Sequence, residues 1–134
     1  MTEEQLQVQV ASYLDMTGLP WIHVANEFTA HDARVTPTGK RWSPAVARLK
    51  RQGFKPGIPD VLIFEPFEDE DGQPYAGLAI ELKVGGNYPT AAQREWAERL
   101  AACGWAVIPR ATSLDQVVEA VTLCYPEHTA KVRI

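Results

Sequence analysis

Hydrophobic residues recur along this chain with two periods, one typical of helices and one typical of strands. From Leu6 to Leu14 they recur at helical spacing, and Thr2 and Gln5 have the spacing of a capping box. A glycine and a proline shortly after this stretch end the pattern. The sequence therefore predicts a first helix over about residues 3–16.

The remaining apolar runs and turn residues predict an alternating order of strands and helices. In chain order we expect a strand at 21–24, a polar loop over 26–42, a short helix at 44–52, strands beginning at Val61 and Leu78, a helix at about 90–103, a strand at 105–108 and a helix at about 114–124. Asp71-Gly72 is a tight-turn signal between the two central strands and predicts an antiparallel hairpin. This order predicts an α/β fold with a mixed sheet flanked by helices.

Length and composition fit a single globular domain. The chain has 134 residues, of which 46% are hydrophobic, and domains typically have about 100–200 residues. The first five residues are acidic or polar where a secretory signal would be basic, and no apolar stretch approaches the ~18 residues of a membrane span. We therefore expect one cytoplasmic domain over residues 1–134, with no membrane partner.

The net charge of −4 and the pI near 5.3 argue against a nucleic-acid partner until the distribution of charge is considered. Seven of the thirteen basic residues lie between Arg34 and Lys55, with no acid among them. A phosphate responds to the local potential within about 8–10 Å. We predict that Arg48, Lys50, Arg51 and Lys55 bind backbone phosphate rather than read bases. Compensation of the helix dipole is the alternative for two of these four.

Two acids and a lysine accompany the central strands. Asp60 directly precedes one apolar run, and Glu81 and Lys83 lie within the next. Because successive side chains of a strand point to opposite faces, Glu81 and Lys83 share one face while Leu82 points into the core. If the strand after Asp60 pairs beside them, all three charged groups converge.

This combination suits metal-dependent hydrolysis of a phosphodiester. Mg²⁺ takes hard oxygen ligands, so we predict Asp60 and Glu81 as its ligands, with the carbonyl of Leu82 as a further oxygen. Lys83 would orient the attacking water or help to deprotonate it, and would offset phosphate charge. The alternative is an ordinary charge pair on a solvated strand, with Asp60 capping a turn. The apolar run around Glu81 favours the metal site, because a charge in a buried strand needs a reason.

Gly57-Ile58-Pro59-Asp60, followed by Glu81-Leu82-Lys83 and then Gln93, resembles the VRR-NUC domain of the PD-(D/E)xK nuclease superfamily. The resemblance extends over essentially the whole chain and implies a stand-alone domain with a restriction-endonuclease-like fold. It also implies that Asp60 and Glu81 bind Mg²⁺ or Mn²⁺, that Lys83 is the catalytic lysine, and that Gln93 lies beside the scissile phosphate.

The resemblance further implies an acid on the first helix. We assign Glu4, three residues before Gln7, and keep Glu3 as the alternative. Either acid also suits the first turn of a helix, where negative charge complements the dipole. Gln93 has a second interpretation as well, because Thr90 and Gln93 have capping-box spacing. One rotamer of Gln93 is not expected to serve both roles.

The activity implied by the resemblance is a Mg²⁺-dependent, structure-selective DNA endonuclease in a bacterial or phage-infected cell. Branched DNA such as a Holliday junction is the first candidate substrate, with a role in DNA repair. One active site per chain makes a two-fold homodimer the simple way to cut two symmetric strands. Two alternatives stay open: a flap, nicking or single-strand nuclease in phage replication or packaging, and a non-catalytic DNA-binding module. The presence of Asp60, Glu81 and Lys83 together disfavours the module.

Overall fold

A computed structural model of the chain describes residues 1–25 and 34–132. The chain forms two compact units, one made of Met1–Val24 with Gly57–Ile134 and the other of Ala25–Pro56. The first unit contains the main sheet and the predicted acids, and the second contains the basic segment. The expectation of a single domain stays a prediction.

The described helices begin and end close to the residues expected from the sequence. They are α1 (Glu3–Thr17), α2 (Pro44–Arg51), α3 (Ala91–Ala102), α4 (Leu114–Cys124) and α5 (Pro126–Thr129). Thr2 and Gln5 form the expected reciprocal capping box, and Gly18 ends α1 in the left-handed conformation. Ser43 and Ser113 cap α2 and α4 by accepting backbone N–H groups. Of these five helices only the short α5 was not predicted.

None of the helices within residues 1–25 and 34–132 has both the length and the hydrophobicity needed to cross a membrane.

The described strands form one four-stranded sheet and two short hairpins. They are β1 (Trp21–His23), β2 (Arg34–Val35), β3 (Arg41–Trp42), β4 (Val61–Ile63), β5 (Phe67–Glu68), β6 (Pro74–Tyr75), β7 (Leu78–Leu82) and β8 (Ala106–Ala111). The main sheet has the order β1-β4-β7-β8, in which the first three strands are antiparallel neighbours and β8 runs parallel to β7. This mixed sheet with flanking helices confirms the predicted α/β, restriction-endonuclease-like fold.

The core of the first unit lies between the sheet and the helices α1 and α4. It includes Leu6, Val10 and Leu14 of α1, Val117 and Val121 of α4, and Leu78, Ile80 and Leu82 of β7. All five residues of β7 are buried, which is typical of a central strand covered on both faces. Since Leu82 packs into the core, its neighbour Glu81 points to the opposite face, as the sequence predicts.

The pairing of β4 with β7 determines where Asp60 lies. The antiparallel register aligns Val61 with Ile80, and the next pair outward from the ladder is Asp60 and Glu81. Residues directly opposite one another on antiparallel strands have Cβ atoms ~4.5–5.5 Å apart. The predicted hairpin is thereby confirmed, and it brings the two acids to the same end of the sheet.

β8 is longer than the predicted strand at 105–108 and has an irregular pairing with β7. Where the register shifts, Pro109 and Arg110 together lie opposite the single residue Glu81. Pro109 has no N–H to give to the ladder, which suits a bulge at this point. A proline usually ends a strand pattern, which is why the sequence did not predict the continuation to Ala111.

In the second unit, the predicted polar loop contains a short hairpin. β2 and β3 pair antiparallel with Arg34 opposite Trp42, and the backbone N–H of Thr36 donates to the carbonyl of Lys40. The expectation of a loop is therefore wrong for residues 34–42, while 26–33 lie outside the described residues. Strands of two residues carry too little alternation to be recognised from sequence.

Candidate active site

Asp60 is positioned by a close approach of the chain to the start of α3. Gly57 has a φ of 100°, and a Cβ added to it would lie 2.7 Å from the backbone carbonyl of Ala92. Only glycine permits both this φ and this approach. Pro59 is fully buried beside it. Asp60 Oδ2 then accepts a hydrogen bond from the backbone N–H of Leu82 at 2.8 Å, which fixes the carboxylate.

Glu81 lies at the centre of the site and is almost fully buried, with 4% of its surface exposed. The ammonium group of Lys83 lies 3.6 Å from Glu81 Oε1. The side chain of Lys83 is 12% exposed, so the pair does not lie on a solvated strand face. The structure therefore contradicts the interpretation as an ordinary surface charge pair and agrees with the predicted convergence.

The carboxamide of Gln93 makes one contact through its nitrogen and another through its oxygen. Its Nε2 donates to Glu81 Oε1 at 2.8 Å, while its Oε1 accepts the backbone N–H of Thr90 at 2.8 Å. The hydroxyl of Thr90 in turn accepts the backbone N–H of Gln93 and completes a capping box at the start of α3. One rotamer of Gln93 thus caps α3 and contacts Glu81, because the donor and the acceptor of the amide point in different directions. The predicted place of Gln93 beside the scissile phosphate stays a prediction.

The environment of the two acids favours their protonated forms. Burial, and then the neighbouring charge of Asp60, raise the pKa of Glu81 to about 8, although Lys83 acts in the opposite direction. Burial also raises the pKa of Asp60, against the hydrogen bond from Leu82. The negative charge of Asp60 acts directly on the carboxyl group of Glu81. The pair can therefore share a proton when no cation lies between them.

The residues of the site fit a hard divalent cation. Glu81 Oε2 is buried and has no hydrogen-bond partner among the described residues. The charge of Asp60 raises the pKa of the buried Glu81, so a positive charge between the two acids would stabilise the pair. No group of three or more His, Cys, Asp or Glu side chains in the described part of the chain could hold a metal together. Two carboxylates completed by other oxygens suit Mg²⁺, whereas Zn²⁺ favours sets of His and Cys.

The first-helix acid that affects the site is Glu3, not Glu4. The negative charge of Glu3 contributes to raising the pKa of Asp60. Glu4 is exposed and lines a surface depression together with Met1, Gln5, Val8 and Gln9. This effect favours the alternative, Glu3, and a role for either acid in catalysis stays a prediction. Adjacent helical residues differ by about 100° around the axis, and only the packing of α1 decides which one points to the sheet.

Two further residues near the site were not predicted from sequence. His23 Nδ1 lies 3.0 Å from the backbone carbonyl oxygen of Asp60, and its charge lowers the pKa of the Asp60 carboxyl. Gln7 follows Glu3 by one turn of α1, and both polar atoms of its amide are buried without a hydrogen-bond partner in the described chain. A histidine and a glutamine alone carry no sequence signal, and the register of β1 against β4 is what brings His23 to Asp60.

The predicted phosphate-binding residues lie in the second unit. Arg48, Lys50 and Arg51 occupy the last turn of α2, Lys55 follows shortly after, and all four are exposed. Among the residues that the structure describes, none of them forms a salt bridge. No acid of residues 1–25 or 34–132 therefore offsets their charge at contact distance.

Comparison with known proteins identifies one informative likeness. A solved structure described as a "VRR_NUC domain protein" matches this chain with a TM-score of 0.63 and 26% sequence identity, over 94% of this chain and 89% of that one. No family model matches the chain, and no curated protein does. The likeness supports both the fold and the resemblance to the VRR-NUC domain, and it suggests a nuclease domain.

Proposed function

We propose that this protein is a metal-dependent nuclease that hydrolyses phosphodiester bonds in DNA. The observation that carries the proposal is the meeting of the half-buried carboxyl group of Asp60 and the buried one of Glu81 with the ammonium group of Lys83, which lies 3.6 Å from Glu81. Such an acid pair is costly to a fold unless a cation or a reaction uses it. The likeness to a VRR_NUC domain protein agrees with this function.

Each residue of the site has a distinct role in this proposal. Asp60 and Glu81 would hold Mg²⁺ or Mn²⁺, with the carbonyl of Leu82 as a further oxygen. The ion, when bound, would offset charge on the phosphate and lower the pKa of a water molecule. Lys83 would orient the attacking water and stabilise charge on the phosphate oxygens. Gln93 would hold the carboxylate of Glu81 in position through its hydrogen bond.

Glu3 takes the place that the sequence alone assigns to Glu4. We propose that it increases the negative potential around Asp60 and so favours cation binding, since like charges nearby are relieved by an ion of opposite charge. Arg48, Lys50, Arg51 and Lys55 would bind the DNA backbone. Their clustering offers a positive surface although the whole chain carries a net charge of −4.

The finer parts of the proposal rest on the resemblance to stand-alone nucleases of the PD-(D/E)xK superfamily. We propose branched DNA, with a Holliday junction as the leading example, as the substrate, and a homodimer as the active form. Two copies related by a two-fold axis would place two active sites symmetrically on a four-way junction. A role in DNA repair and a cytoplasmic location in a bacterial or phage-infected cell stay predictions.

The test is a cleavage assay with the full chain and labelled junction, flap, splayed, single-stranded and duplex DNA, in Mg²⁺, Mn²⁺ or EDTA. The parent is expected to cut at least one substrate with a metal and none in EDTA. Lys83→Met is expected to lose cleavage by at least about a thousandfold. Lys131→Met, a change of an exposed lysine in the same unit, serves as the matched control and is expected to cut like the parent.

The pattern of products ranks the candidate functions. Paired, symmetric nicks in a four-way junction support junction resolution, whereas cutting only of flaps or single strands supports the alternative nuclease. DNA binding by the parent without any cleavage under all metal conditions would contradict the nuclease and favour a DNA-binding module.

A further inference from the structure

The loop of residues 85–89 occupies a particular place in the first unit. It joins β7 to α3, so Lys83 lies two residues before it and Gln93 lies four residues after it. Both of these residues contact Glu81. The loop therefore begins and ends within four residues of two side chains that contact Glu81.

Two arginines hold the backbone of this loop. Arg110 donates from Nε to the carbonyl of Asn87 and from Nη2 to the carbonyl of Gly85, both at 3.0 Å. Arg94 donates from Nη1 to the carbonyl of Pro89 at 2.7 Å. Within the described chain neither arginine forms a salt bridge. The loop is thus fixed by two guanidinium groups that no acid of the described chain contacts.

Tyr88 lies in this loop with one face of its ring on Arg110. The guanidinium carbon is 4.2 Å from the ring centroid, which is cation–π geometry. The residue is nevertheless 69% exposed. The ring is therefore held against Arg110 while most of the residue's surface remains open to a ligand.

The bulge in β8 explains why Arg110 reaches the loop. Arg110 follows Pro109 at the point where two residues of β8 oppose one of β7. Bulges commonly redirect a side chain beside a functional site. Here the redirected guanidinium joins three partners: the carbonyls of Gly85 and Asn87 and the ring of Tyr88. An exposed aromatic ring so positioned contributes little to the core, and its arrangement suits a binding role.

We propose that Tyr88, supported by Arg110, stacks on an unpaired base of the nucleic-acid strand that is cut at the neighbouring site. An open aromatic face beside positive charge is how single-stranded nucleic acid is bound without sequence readout. The faces of bases within a duplex are covered by their neighbours, so the platform selects DNA with an unpaired nucleotide next to the cut. This inference rests on the proposed nuclease function and adds the class of substrate, which is the flap or single-stranded alternative rather than a fully paired four-way junction.

The test measures DNA binding rather than cleavage. Fluorescence anisotropy with labelled single-stranded, flap and duplex DNA is carried out with the full chain in the Lys83→Met background, so that no strand is cut. Tyr88→Ala is expected to weaken binding of single-stranded and flap DNA by about 5- to 100-fold and binding of duplex by less than about twofold. Tyr88→Phe is the matched control, because it keeps the ring, and is expected to bind like the parent.

An abasic scan identifies the stacked base. One base at a time is removed from the single strand. Removal at one position is expected to weaken binding by the parent about as much as Tyr88→Ala does, and to leave binding by Tyr88→Ala unchanged. The proposal is contradicted by equal loss on duplex and single strand, by Tyr88→Phe binding as weakly as Tyr88→Ala, or by a parent that does not bind single-stranded DNA.

The outcomes for this inference and for the nuclease function are separable. The parent could cut no DNA while the Tyr88 variants bind as expected. In that case the nuclease proposal is contradicted and the stacking proposal is supported. If the parent cuts DNA and Tyr88→Ala binds every substrate like the parent, the platform fails while the nuclease stands.

Discussion

Gln93 donates its amide hydrogen to Glu81 Oε1 at 2.8 Å while the oxygen of the same amide accepts the backbone N–H of Thr90. One side chain therefore joins the start of α3 to the acid at the centre of the sheet. Helix capping and orientation of the carboxylate are coupled, because any movement of the first turn of α3 displaces the donor that Glu81 accepts.

Replacing Gln93 with glutamate separates these two roles. Glutamate keeps the acceptor of the capping box but cannot donate to Glu81, and it adds a like charge beside it. We expect Gln93→Glu to retain helix stability and to lose about 10- to 100-fold in cleavage rate, because the Glu81 carboxylate loses the donor that orients it. Denaturant unfolding and cleavage rates measure the two effects.

Thr90→Ala is the matched control for this experiment. It removes the other half of the capping box, the bond from the Gln93 N–H to the Thr90 hydroxyl, and leaves the donor to Glu81 in place. We expect it to cost about 1 kcal/mol of stability with a smaller loss of cleavage rate than Gln93→Glu. A larger loss of cleavage rate in Thr90→Ala would show that capping, not the hydrogen bond to Glu81, matters to the site.

The raised pKa of Glu81 predicts how stability depends on pH without metal. The folded state holds a proton on Glu81 up to about pH 8, whereas the unfolded chain releases it near its ordinary pKa of ~4.3. The folded state thus binds more protons in this range, and its stability falls as pH rises. We expect the free energy of unfolding in EDTA to fall, on the order of 3 kcal/mol, between about pH 5 and about pH 8.

Chemical denaturation at several pH values measures this slope. Glu81→Gln has no proton to lose at this position and is expected to flatten it. Mg²⁺ is expected to restore stability at the upper end of the range, because cation binding requires the deprotonated acids. If the parent and Glu81→Gln show the same slope in EDTA, the raised pKa of Glu81 is refuted.

Glu3 and Glu4 form a natural matched pair. Both are acids in the first turn of α1, so removing either charge costs the same favourable interaction with the helix dipole. Only Glu3 affects Asp60. We expect Glu3→Gln to reduce cleavage or Mg²⁺ affinity by about tenfold and Glu4→Gln to stay within about twofold of the parent. A larger loss in Glu4→Gln than in Glu3→Gln would support Glu4 as the first-helix acid of the site.

Gly57 is expected to tolerate no side chain. In Gly57→Ala the Cβ would meet the backbone carbonyl of Ala92 at 2.7 Å, and the φ of 100° would be strained. We expect a loss of about 2 kcal/mol or more, measured by thermal or denaturant unfolding. Gly86→Ala is the control, since its Cβ would meet nothing within 4 Å. Equal stability of the two variants would show that the approach to α3 is not a constraint.

The basic residues of the second unit are expected to contribute electrostatically. Changing Arg48, Lys50, Arg51 or Lys55 singly to glutamine should reduce the slope of log Kd against log salt by up to about one for each phosphate that the variant no longer neutralises. The affinity should fall by a similar factor for different DNA sequences, because binding to the backbone carries no sequence information. Arg99→Gln is the control, since Arg99 already pairs with Glu95 at 2.8 Å. An unchanged slope in all four variants would show that these residues do not bind DNA phosphates.

Local sequence patterns were enough to predict the acids and the lysine of the site. A strand has a side-chain period of two, so Glu81 and Lys83 had to share a face once their run was recognised as a strand. The Asp71-Gly72 turn signal predicted the hairpin that sets Asp60 opposite Glu81. Capping residues likewise located the helix ends, because these contacts join residues only two to four positions apart.

Other features depended on contacts between elements that are distant in the chain. The rotation of α1 about its axis decides which of Glu3 and Glu4 faces the site, and packing against the sheet sets that rotation. His23 reaches Asp60 through strand pairing across 37 residues, and the bulge that directs Arg110 arises only where β8 meets β7.

The sequence by itself determined the order of elements, the hairpin and the three charged residues of the site, since each depends on a short repeating pattern. Only the tertiary structure decided the burial that raises the pKa of Glu81, the double contact of Gln93 and the position of Tyr88 on Arg110. Burial and long-range contacts are properties of the packed chain, and no local pattern specifies them.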